Sequence, residues 1–313
     1  MRLIYLGSGE FGLPTLQRLH VDHEVVAVIS QPDKPAGRKR KLTPTPIAAW
    51  AESNGLNVLK CPDVNTDEFI TRAAQLNADA SVVIAFGQKL SPSFIDALGR
   101  LVINLHASLL PRHRGAAPIN SAIISGDEET GLSVIALAQR MDAGLVYGMV
   151  STPIDPNEIA GELHDRLSLM GPDVIEKVLG EFQSGALNGE EQDETLATRA
   201  PKLSKKDSTV DFNTSAVQVR NRIHGLTPWP GVSVNWNRRD AGDQVLKICR
   251  VAAEPGSLTD VAPGTVLHDC RVAVADGAIK LIEVQVPGGR VMKVEDFIHG
   301  HPIRPGDFLR SEI

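Results

Sequence analysis

Hydrophobic residues in the first 182 positions recur in two alternating arrangements. Short runs rich in aliphatic and β-branched residues are separated by stretches with the apolar spacing of an amphipathic helix. This alternation predicts a Rossmann-like α/β domain with a mostly parallel sheet. The predicted strands lie at 3–6, 24–30, 81–86, 101–106 and 132–137, and the predicted helices lie at 14–20, 46–54, 67–76, 92–98, 118–125 and 160–182.

The pattern changes in the last third of the chain, where short strands follow one helix. Turn sequences such as Ala-Asp-Gly at 275–277 and Pro-Gly-Gly at 287–289 separate the strands, and this spacing predicts a small β-barrel. Residues 184–206 are polar without a clear period and are predicted to be a linker between domains at 1–183 and 207–313. The predicted helix lies at 215–224, and the predicted strands lie at 232–236, 245–251, 264–267, 271–275 and 279–286.

Composition indicates a soluble intracellular protein. No run of about 18 apolar residues suggests a membrane helix. The amino terminus enters a strand too early for a signal peptide, and the three cysteines have no metal-binding spacing, so a reducing cytoplasm is expected. The net charge is −6, but residues 199–313 carry 16 Lys and Arg against 13 Asp and Glu. A mildly basic carboxyl-terminal domain fits a local contact with nucleic acid.

Two polar residues interrupt the apolar strand predicted at 101–106. Asn104 and His106 are two positions apart, so they share one face at the carboxyl end of the strand, where open α/β sheets bind ligands. Asp142, on a short turn, could reach the same edge. An amide, an imidazole and a carboxylate supply an oxyanion donor, a proton-transfer group and an orienting group. A lone histidine in a strand is more often a core residue, so this pattern alone is weak.

The sequence Gly7-Ser-Gly-Glu-Phe-Gly12 matches the glycine pattern of dinucleotide-binding proteins. The second predicted strand ends at Ser30-Gln31, where such proteins carry an acid for the ribose. A tight turn between a strand and a helix is therefore the favoured interpretation. A dinucleotide-dependent oxidoreductase would depend on this motif alone.

Longer motifs resemble the folate-dependent formyltransferases, and within them the branch that acts on methionyl-tRNA. The resemblance covers nearly the whole chain, and its motifs are too particular for generic loops. The matching stretches are NLHASLLPRHRGAAPI at 104–119, IAFGQKL at 84–90, MDAG at 141–144, QPDKPAGRKRKLTPTPI at 31–47, QDETLATRAPKLSKKD at 192–207 and GLTPWPG at 225–231.

The resemblance implies transfer of the formyl group of 10-formyltetrahydrofolate to the amino group of methionyl-initiator tRNA, through a tetrahedral intermediate and without a metal. Asn104 would donate to the oxyanion, His106 would move the amine proton, and Asp142 would orient the imidazole and relay through water. The turn after Asp142 departs from the family, which commonly has a further acid there. The residues implied in folate binding are Ser108, Leu109, Leu110, Pro111, Ile84, Phe86 and Gly87.

The resemblance also implies a tRNA-binding surface and an OB-like carboxyl-terminal barrel. Arg38 matches the family's key arginine, although Lys39 stands where the family usually has glycine. Trp229 is expected to pack at a domain junction, with base stacking as the alternative, and His113 is expected at the surface. We expect a monomer with no membrane association and no obligate protein partner. The cations implied in tRNA binding are Arg38, Lys39, Arg40, Lys41, Lys202, Lys205 and Lys206.

Two alternatives belong to neighbouring function classes. A sister formyltransferase acting on a nucleotide-linked amino sugar would share the Asn104, His106 and Asp142 constellation but would not need the cations at 38–41. A non-catalytic RNA-binding module would use the carboxyl-terminal domain, but it would not account for the motif at 104–119.

Overall fold

The computed structural model describes residues 1–37, 40–239, 241–256 and 261–311. The chain forms two compact units, and each is assembled from separate stretches. The domain boundaries expected after residues 183 and 206 stay a prediction. The first unit comprises Met1–Gly115, Gly131–Thr152 and His164–Arg199, and the second comprises Ala116–Thr130, Pro153–Leu163 and Ala200–Ile313.

Strands and helices alternate along the first half of the chain, and strands dominate its last third. The strands are β1 (Arg2–Gly7), β2 (Glu24–Ser30), β3 (Lys34–Ala36), β4 (Lys41–Thr43), β5 (Val58–Lys60), β6 (Ala80–Ile84), β7 (Leu101–His106), β8 (Arg114–Gly115), β9 (Glu129–Ala136), β10 (Val146–Pro153), β11 (Arg199–Ala200), β12 (Val232–Asn237), β13 (Gln244–Pro255), β14 (Arg271–Val274), β15 (Gly277–Gln285), β16 (Met292–Lys293) and β17 (Phe308–Arg310). The helices are α1 (Leu13–Asp22), α2 (Pro46–Ser53), α3 (Asp67–Ala74), α4 (Pro92–Asp96), α5 (Pro118–Ser125), α6 (Ala160–Ser184), α7 (Ala216–Leu226) and α8 (Val294–Gly300).

A seven-stranded sheet forms the centre of the first unit, in the order β10-β9-β7-β6-β1-β2-β5. The strands from β7 to β5 run parallel, and β9 pairs antiparallel with β7. This confirms the predicted Rossmann-like, mostly parallel α/β fold. The strand order reverses around β1 and β6, and the carboxyl ends of strands at such a reversal are the usual ligand site of this architecture.

The alternation of side chains along β1 divides the core of this unit. Ile4 and Leu6 pack in one cluster with Phe69 of α3 and Phe94 of α4, and all four are buried. Val102 of β7 packs against the same cluster. Because Asn104 and His106 share the face of Val102, the two polar residues continue this face beyond the apolar core, at the carboxyl end of β7.

The second unit contains an antiparallel sheet in the order β14-β15-β13-β12-β17, with β16 paired to β15. Its apolar core includes Trp236 and Phe297 of α8. Residues 264–266 connect the two edge strands, because Thr265 bridges to Phe308 of β17 and Val266 bridges to Val272 of β14. The sheet is therefore barrel-like and nearly closed, which confirms the predicted small β-barrel.

Helix α5 lies in the second unit, although its sequence was expected within the first domain. The side-chain amide of Asn120 donates to the Gly225 carbonyl of α7 at 2.7 Å. A Cβ atom at Gly225 would lie 2.5 Å from the side chain of Ile124, so a glycine at this position permits close packing of α5 and α7.

Some expectations about local structure were wrong. No strand was predicted within residues 31–46, but this stretch contains the β3–β4 hairpin, and 264–267 forms isolated bridges instead of the predicted continuous strand. The expected strand at 81–86 ends at Ile84, because Ala85 has a left-handed φ of 48°. Strand β10 and helix α8 were missed. Within the described ranges, no helix has both the length and the apolar content to cross a bilayer.

Candidate active site

The carboxyl end of β7 brings Asn104 and His106 to the edge of the sheet. Asn104 lies opposite Val83 of β6 and Ile135 of β9, and His106 lies opposite Ser133 of β9. The two side chains are therefore held on a strand with neighbours on both sides. Such a position fixes catalytic groups more rigidly than a loop does.

Asn104 is half-buried on this face. Over the described ranges, its side-chain amide has no hydrogen-bond partner within the protein. An amide held in a strand, partly shielded from water and with its N–H groups available, is suited to stabilise a developing negative charge.

His106 is almost fully buried, with 6% of its surface exposed. Its Nε2 atom lies 2.9 Å from the His113 carbonyl oxygen, and because a carbonyl only accepts, Nε2 carries the hydrogen. In the neutral imidazole Nδ1 then holds the lone pair. The expectation that His113 lies at the surface is wrong, since only 4% of it is exposed and its backbone holds the His106 ring.

Asp142 faces the lone-pair side of this imidazole. Its Oδ2 atom lies 3.7 Å from Nδ1 of His106 and accepts the Gly115 N–H at 2.8 Å. At 3.7 Å the Asp142 carboxylate is too far from Nδ1 for a hydrogen bond, so the hydrogen bond of the ring is the one from Nε2 to the His113 carbonyl, and the orienting role of Asp142 stays a prediction. Burial lowers the pKa of His106, while the charge of Asp142 opposes that shift.

The loop after β7 is shaped by hydroxyl groups. Ser108 is fully buried and its hydroxyl donates to the Arg112 carbonyl at 2.6 Å. Ser133 donates to the Ser108 carbonyl at 2.7 Å and accepts the Leu110 N–H at 3.1 Å. Leu109 and Pro111 are half-buried and Arg112 is exposed, whereas Ser108 is buried, so the Ser108 hydroxyl stabilises the loop from inside.

The loop after β6 lies beside the loop after β1. The Phe86 carbonyl accepts from the Ser8 hydroxyl at 3.2 Å and from the Gln31 side-chain amide at 3.0 Å. Gly87 has a left-handed φ of 82°, and a Cβ atom there would lie 2.4 Å from the Gln31 nitrogen, so glycine suits this position. Ile84 and Phe86 are buried, whereas Ala85, Gly87 and Lys89 are exposed, so of the three predicted folate residues in this loop only Gly87 is accessible.

The glycine-rich turn after β1 is a packing feature. A Cβ atom at Gly12 would lie 2.0 Å from the Tyr5 hydroxyl, which donates to the Gly12 carbonyl at 2.9 Å. The tyrosine fills the space under the turn. This supports the interpretation of the motif as a tight turn between a strand and a helix.

The predicted tRNA-binding cations fall in two places. Arg38 and Lys39 lie outside the described residues, while Arg40 and Lys41 are exposed at the β3–β4 hairpin. Lys202, Lys205 and Lys206 are exposed in the second unit. The expectation that Trp229 is a packing residue is wrong, because 54% of its surface is exposed.

Sequence reasoning missed a group of polar residues that surrounds the Asp142 turn. Arg114, which is buried, donates to the Gln192 side-chain oxygen at 2.7 Å and to Glu194 at 2.9 Å. Arg140 pairs with the same Glu194 carboxylate, and together the two arginines lower its pKa to about 2. Gln192 and Glu194 belong to a motif that the sequence analysis recognised but assigned to the linker. The sequence therefore did not indicate that these residues lie beside the Asp142 turn. Among the described side chains, no group of three or more His, Cys, Asp and Glu could hold a metal ion.

Comparisons with known proteins point to one family. Residues 1–179 match the formyl transferase domain and residues 202–302 match the formyl transferase carboxyl-terminal domain. A methionyl-tRNA formyltransferase of Geobacter metallireducens is 36% identical, over 98% of this chain and 97% of its own length. One from Cereibacter sphaeroides is 40% identical over 98% of both chains. An N-formyltransferase structure from Helicobacter canadensis, in complex with folinic acid and dTDP-3-aminofucose, has a TM-score of 0.67 at 14% identity and covers 91% of this chain and 98% of its own.

Proposed function

We propose which residues carry out formyl transfer in this chain. The chain belongs to the methionyl-tRNA formyltransferase family of formyl transferases. The membership confirms the enzyme class expected from the sequence, a methionyl-tRNA formyltransferase. One observation carries the residue assignment. At the carboxyl end of β7, the Asn104 amide, which has no hydrogen-bond partner among the described residues, lies beside the buried imidazole of His106.

The donor is a folate-derived formyl compound, and we assign it as 10-formyltetrahydrofolate. Two loops follow the adjacent parallel strands β6 and β7, so both lie at the same edge of the sheet. Among the residues predicted to bind folate, Gly87, Leu109 and Pro111 are accessible, and their backbone and apolar side chains suit a flat ring system. The buried members of the predicted folate set, Ile84, Phe86, Ser108 and Leu110, hold these loops in shape.

Formyl transfer requires the amine to attack the formyl carbon while negative charge develops on the carbonyl oxygen. The tetrahedral intermediate then collapses, the bond between this carbon and the folate nitrogen breaks, and tetrahydrofolate leaves with the proton that the amine gave up. The Asn104 amide donates to that oxygen. Because the amide is not engaged within the described protein, it needs no reorganisation as the charge develops.

The attacking amine must lose a proton, and His106 accepts it. Burial holds the imidazole neutral at pH 7 by lowering its pKa, and its Nε2–H is committed to the His113 carbonyl, so the accepting atom is Nδ1. The imidazolium that forms faces the Asp142 carboxylate at 3.7 Å, which stabilises the new positive charge. Asp142 is thereby the electrostatic partner of the base.

This arrangement predicts a specific pH response. The charge of Asp142 raises the pKa of His106, so replacing Asp142→Asn moves the acid limb of kcat to lower pH while reducing its plateau. The acid limb moves in this direction because the reaction requires neutral His106, and activity is lost as the pH falls through the pKa of His106. The measurement is kcat against pH for wild type and Asp142→Asn at saturating substrate.

Asp173→Asn, which removes an exposed acid from α6, is the matched control and leaves the acid limb unchanged. An Asp142→Asn variant whose acid limb coincides with that of wild type would show that Asp142 does not act on the base.

The acceptor is methionyl-initiator tRNA, and cations contact its phosphates. Arg40 and Lys41 are exposed at the β3–β4 hairpin, and the base of this segment is held by a bond of 2.6 Å between the hydroxyls of Ser30 and Thr45. Lys202, Lys205 and Lys206 add exposed positive charge in the second unit. Such contacts supply affinity that falls with salt.

Arg38→Ala is expected to raise the KM for tRNA with little effect on donor binding. Each lost phosphate contact reduces the slope of log affinity against log salt by about 0.7–0.9. The measurement is the KM for tRNA between low and physiological salt. Arg72→Ala, at an exposed arginine of α3, is the control, and a salt slope for Arg38→Ala equal to that of this control would exclude the contact.

The acceptor class is tested by offering methionylated tRNA and a nucleotide-linked amino sugar in parallel. The likeness to the Helicobacter canadensis structure is at 14% identity and concerns the fold. We expect formyl transfer to the tRNA and none to the sugar. Transfer to the sugar alone would show that the acceptor is the amino sugar and not methionyl-tRNA.

A further inference from the structure

We propose that Gln192 is a positioning residue of the reaction, which holds the turn that carries Asp142. The proposal rests on the proposed function, because it gives Asp142 the role described above. It concerns the acidic segment, which we define as residues 190–194, and the contacts of this segment with the turn, with Arg114 and with Val146 lie within the first unit.

The turn from Asp142 to Gly144 is under two local constraints. Asp142 has a left-handed φ of 54°, which costs energy for any residue except glycine. A Cβ atom at Gly144 would lie 1.9 Å from the Ala136 carbonyl oxygen, so the turn returns against the end of β9. A turn with an unfavourable φ keeps its shape only when neighbouring groups hold it.

Gln192 supplies that hold. Its side-chain nitrogen donates to the Asp142 carbonyl at 2.9 Å and to the Gly144 carbonyl at 2.8 Å. Both hydrogens of one amide are thus used on the two ends of the turn. The carboxylate of Asp142 accepts a hydrogen bond from the Gly115 N–H. Holding the backbone of Asp142 in place therefore also holds its carboxylate at this position.

The acidic segment itself is anchored at both ends. Glu190 forms a two-bond backbone bridge with Val146 at the start of β10. Glu194 forms ion pairs with Arg114 and Arg140. Between these anchors the Gln192 side-chain oxygen accepts from Nε and from a terminal nitrogen of Arg114 at 3.0 and 2.7 Å, which leaves only its NH₂ group to face the turn.

This geometry separates a positioning role from a packing role. Gln192→Glu keeps the acceptors for Arg114 but replaces the donor to the turn by an anion beside two carbonyls. If Gln192 served only to hold Arg114, glutamate would substitute for it. If it holds the turn, Gln192→Glu fails as Gln192→Ala does.

The test measures formyl transfer to methionylated tRNA by wild type, Gln192→Ala, Gln192→Glu and the control Glu191→Ala, whose side chain is exposed. A misplacement of about 1 Å typically costs about 10²-fold in rate, so both Gln192 variants are expected to lose roughly 10–100-fold in kcat with KM little changed. Glu191→Ala keeps the wild-type rate. A Gln192→Glu variant with wild-type kcat overturns the proposal.

A second readout does not depend on activity. The Gly115 N–H is protected by the Asp142 carboxylate, and its hydrogen exchange, followed by NMR, is expected to accelerate in both Gln192 variants but not in Glu191→Ala. If wild type transfers no formyl group to the tRNA, the proposed function fails and this exchange decides the role of Gln192. Unchanged protection in both Gln192 variants overturns the proposal.

Discussion

Replacing His106→Gln lowers kcat by about 10²–10⁴-fold, the usual contribution of a positioned proton-transfer group. Glutamine retains an N–H that can donate to the His113 carbonyl, as Nε2 of the imidazole does, but offers no basic nitrogen in place of Nδ1. The fold is therefore preserved while the base is removed. The measurement is single-turnover formyl transfer together with the Kd of the folate donor, which we expect to stay near its wild-type value.

His299→Gln is the matched control, because His299 is exposed on α8 of the second unit. It keeps wild-type turnover. Wild-type turnover in His106→Gln would exclude His106 as the proton acceptor, whatever the state of the rest of the site.

Replacing Asn104→Ala is expected to lower kcat by about 10²–10³-fold, the typical loss for one oxyanion donor. The effect falls on kcat and on kcat/KM alike, because the bond to the carbonyl oxygen strengthens only as charge develops. Asn104→Asp, which has the same shape but places a negative charge at the oxyanion, is expected to lose at least as much.

Asn188→Ala, at an exposed position after α6, serves as the control for this pair. Two outcomes would contradict the assignment: wild-type kcat in Asn104→Ala, or a loss confined to KM, which would indicate ground-state binding instead.

The part of the site that the sequence could predict lies in periodic elements. The period-two pattern of β7 placed Asn104 and His106 on one face, and the alternation of strands and helices predicted the sheet edge at which they lie. Both inferences need only local periodicity and the general rules of parallel sheets.

The missed part depends on the backbone and on distant pairs. The His113 carbonyl that binds His106 has no signature in side-chain chemistry, so nothing in the sequence indicated that His113 is buried. Gln192 lies in a polar stretch without a period, and its partners at 142 and 144 are about 50 residues away along the chain. Such pairings become visible only when the acidic segment is seen beside β10.

The exposure of Trp229 reflects another limit of sequence reasoning. A tryptophan between two prolines is expected to be buried on hydrophobicity alone, yet more than half of its surface is accessible. Hydrophobicity predicts which residues can be buried, but not which of them the fold covers.

The most direct test of the proposed reaction is formyl transfer from 10-formyltetrahydrofolate to methionylated initiator tRNA, with methionylated elongator tRNA measured in parallel. We expect formylmethionyl-tRNA from the initiator and little or none from the elongator. No transfer to either tRNA, with the donor still bound, would contradict the acceptor and direct the search to small amines and amino sugars.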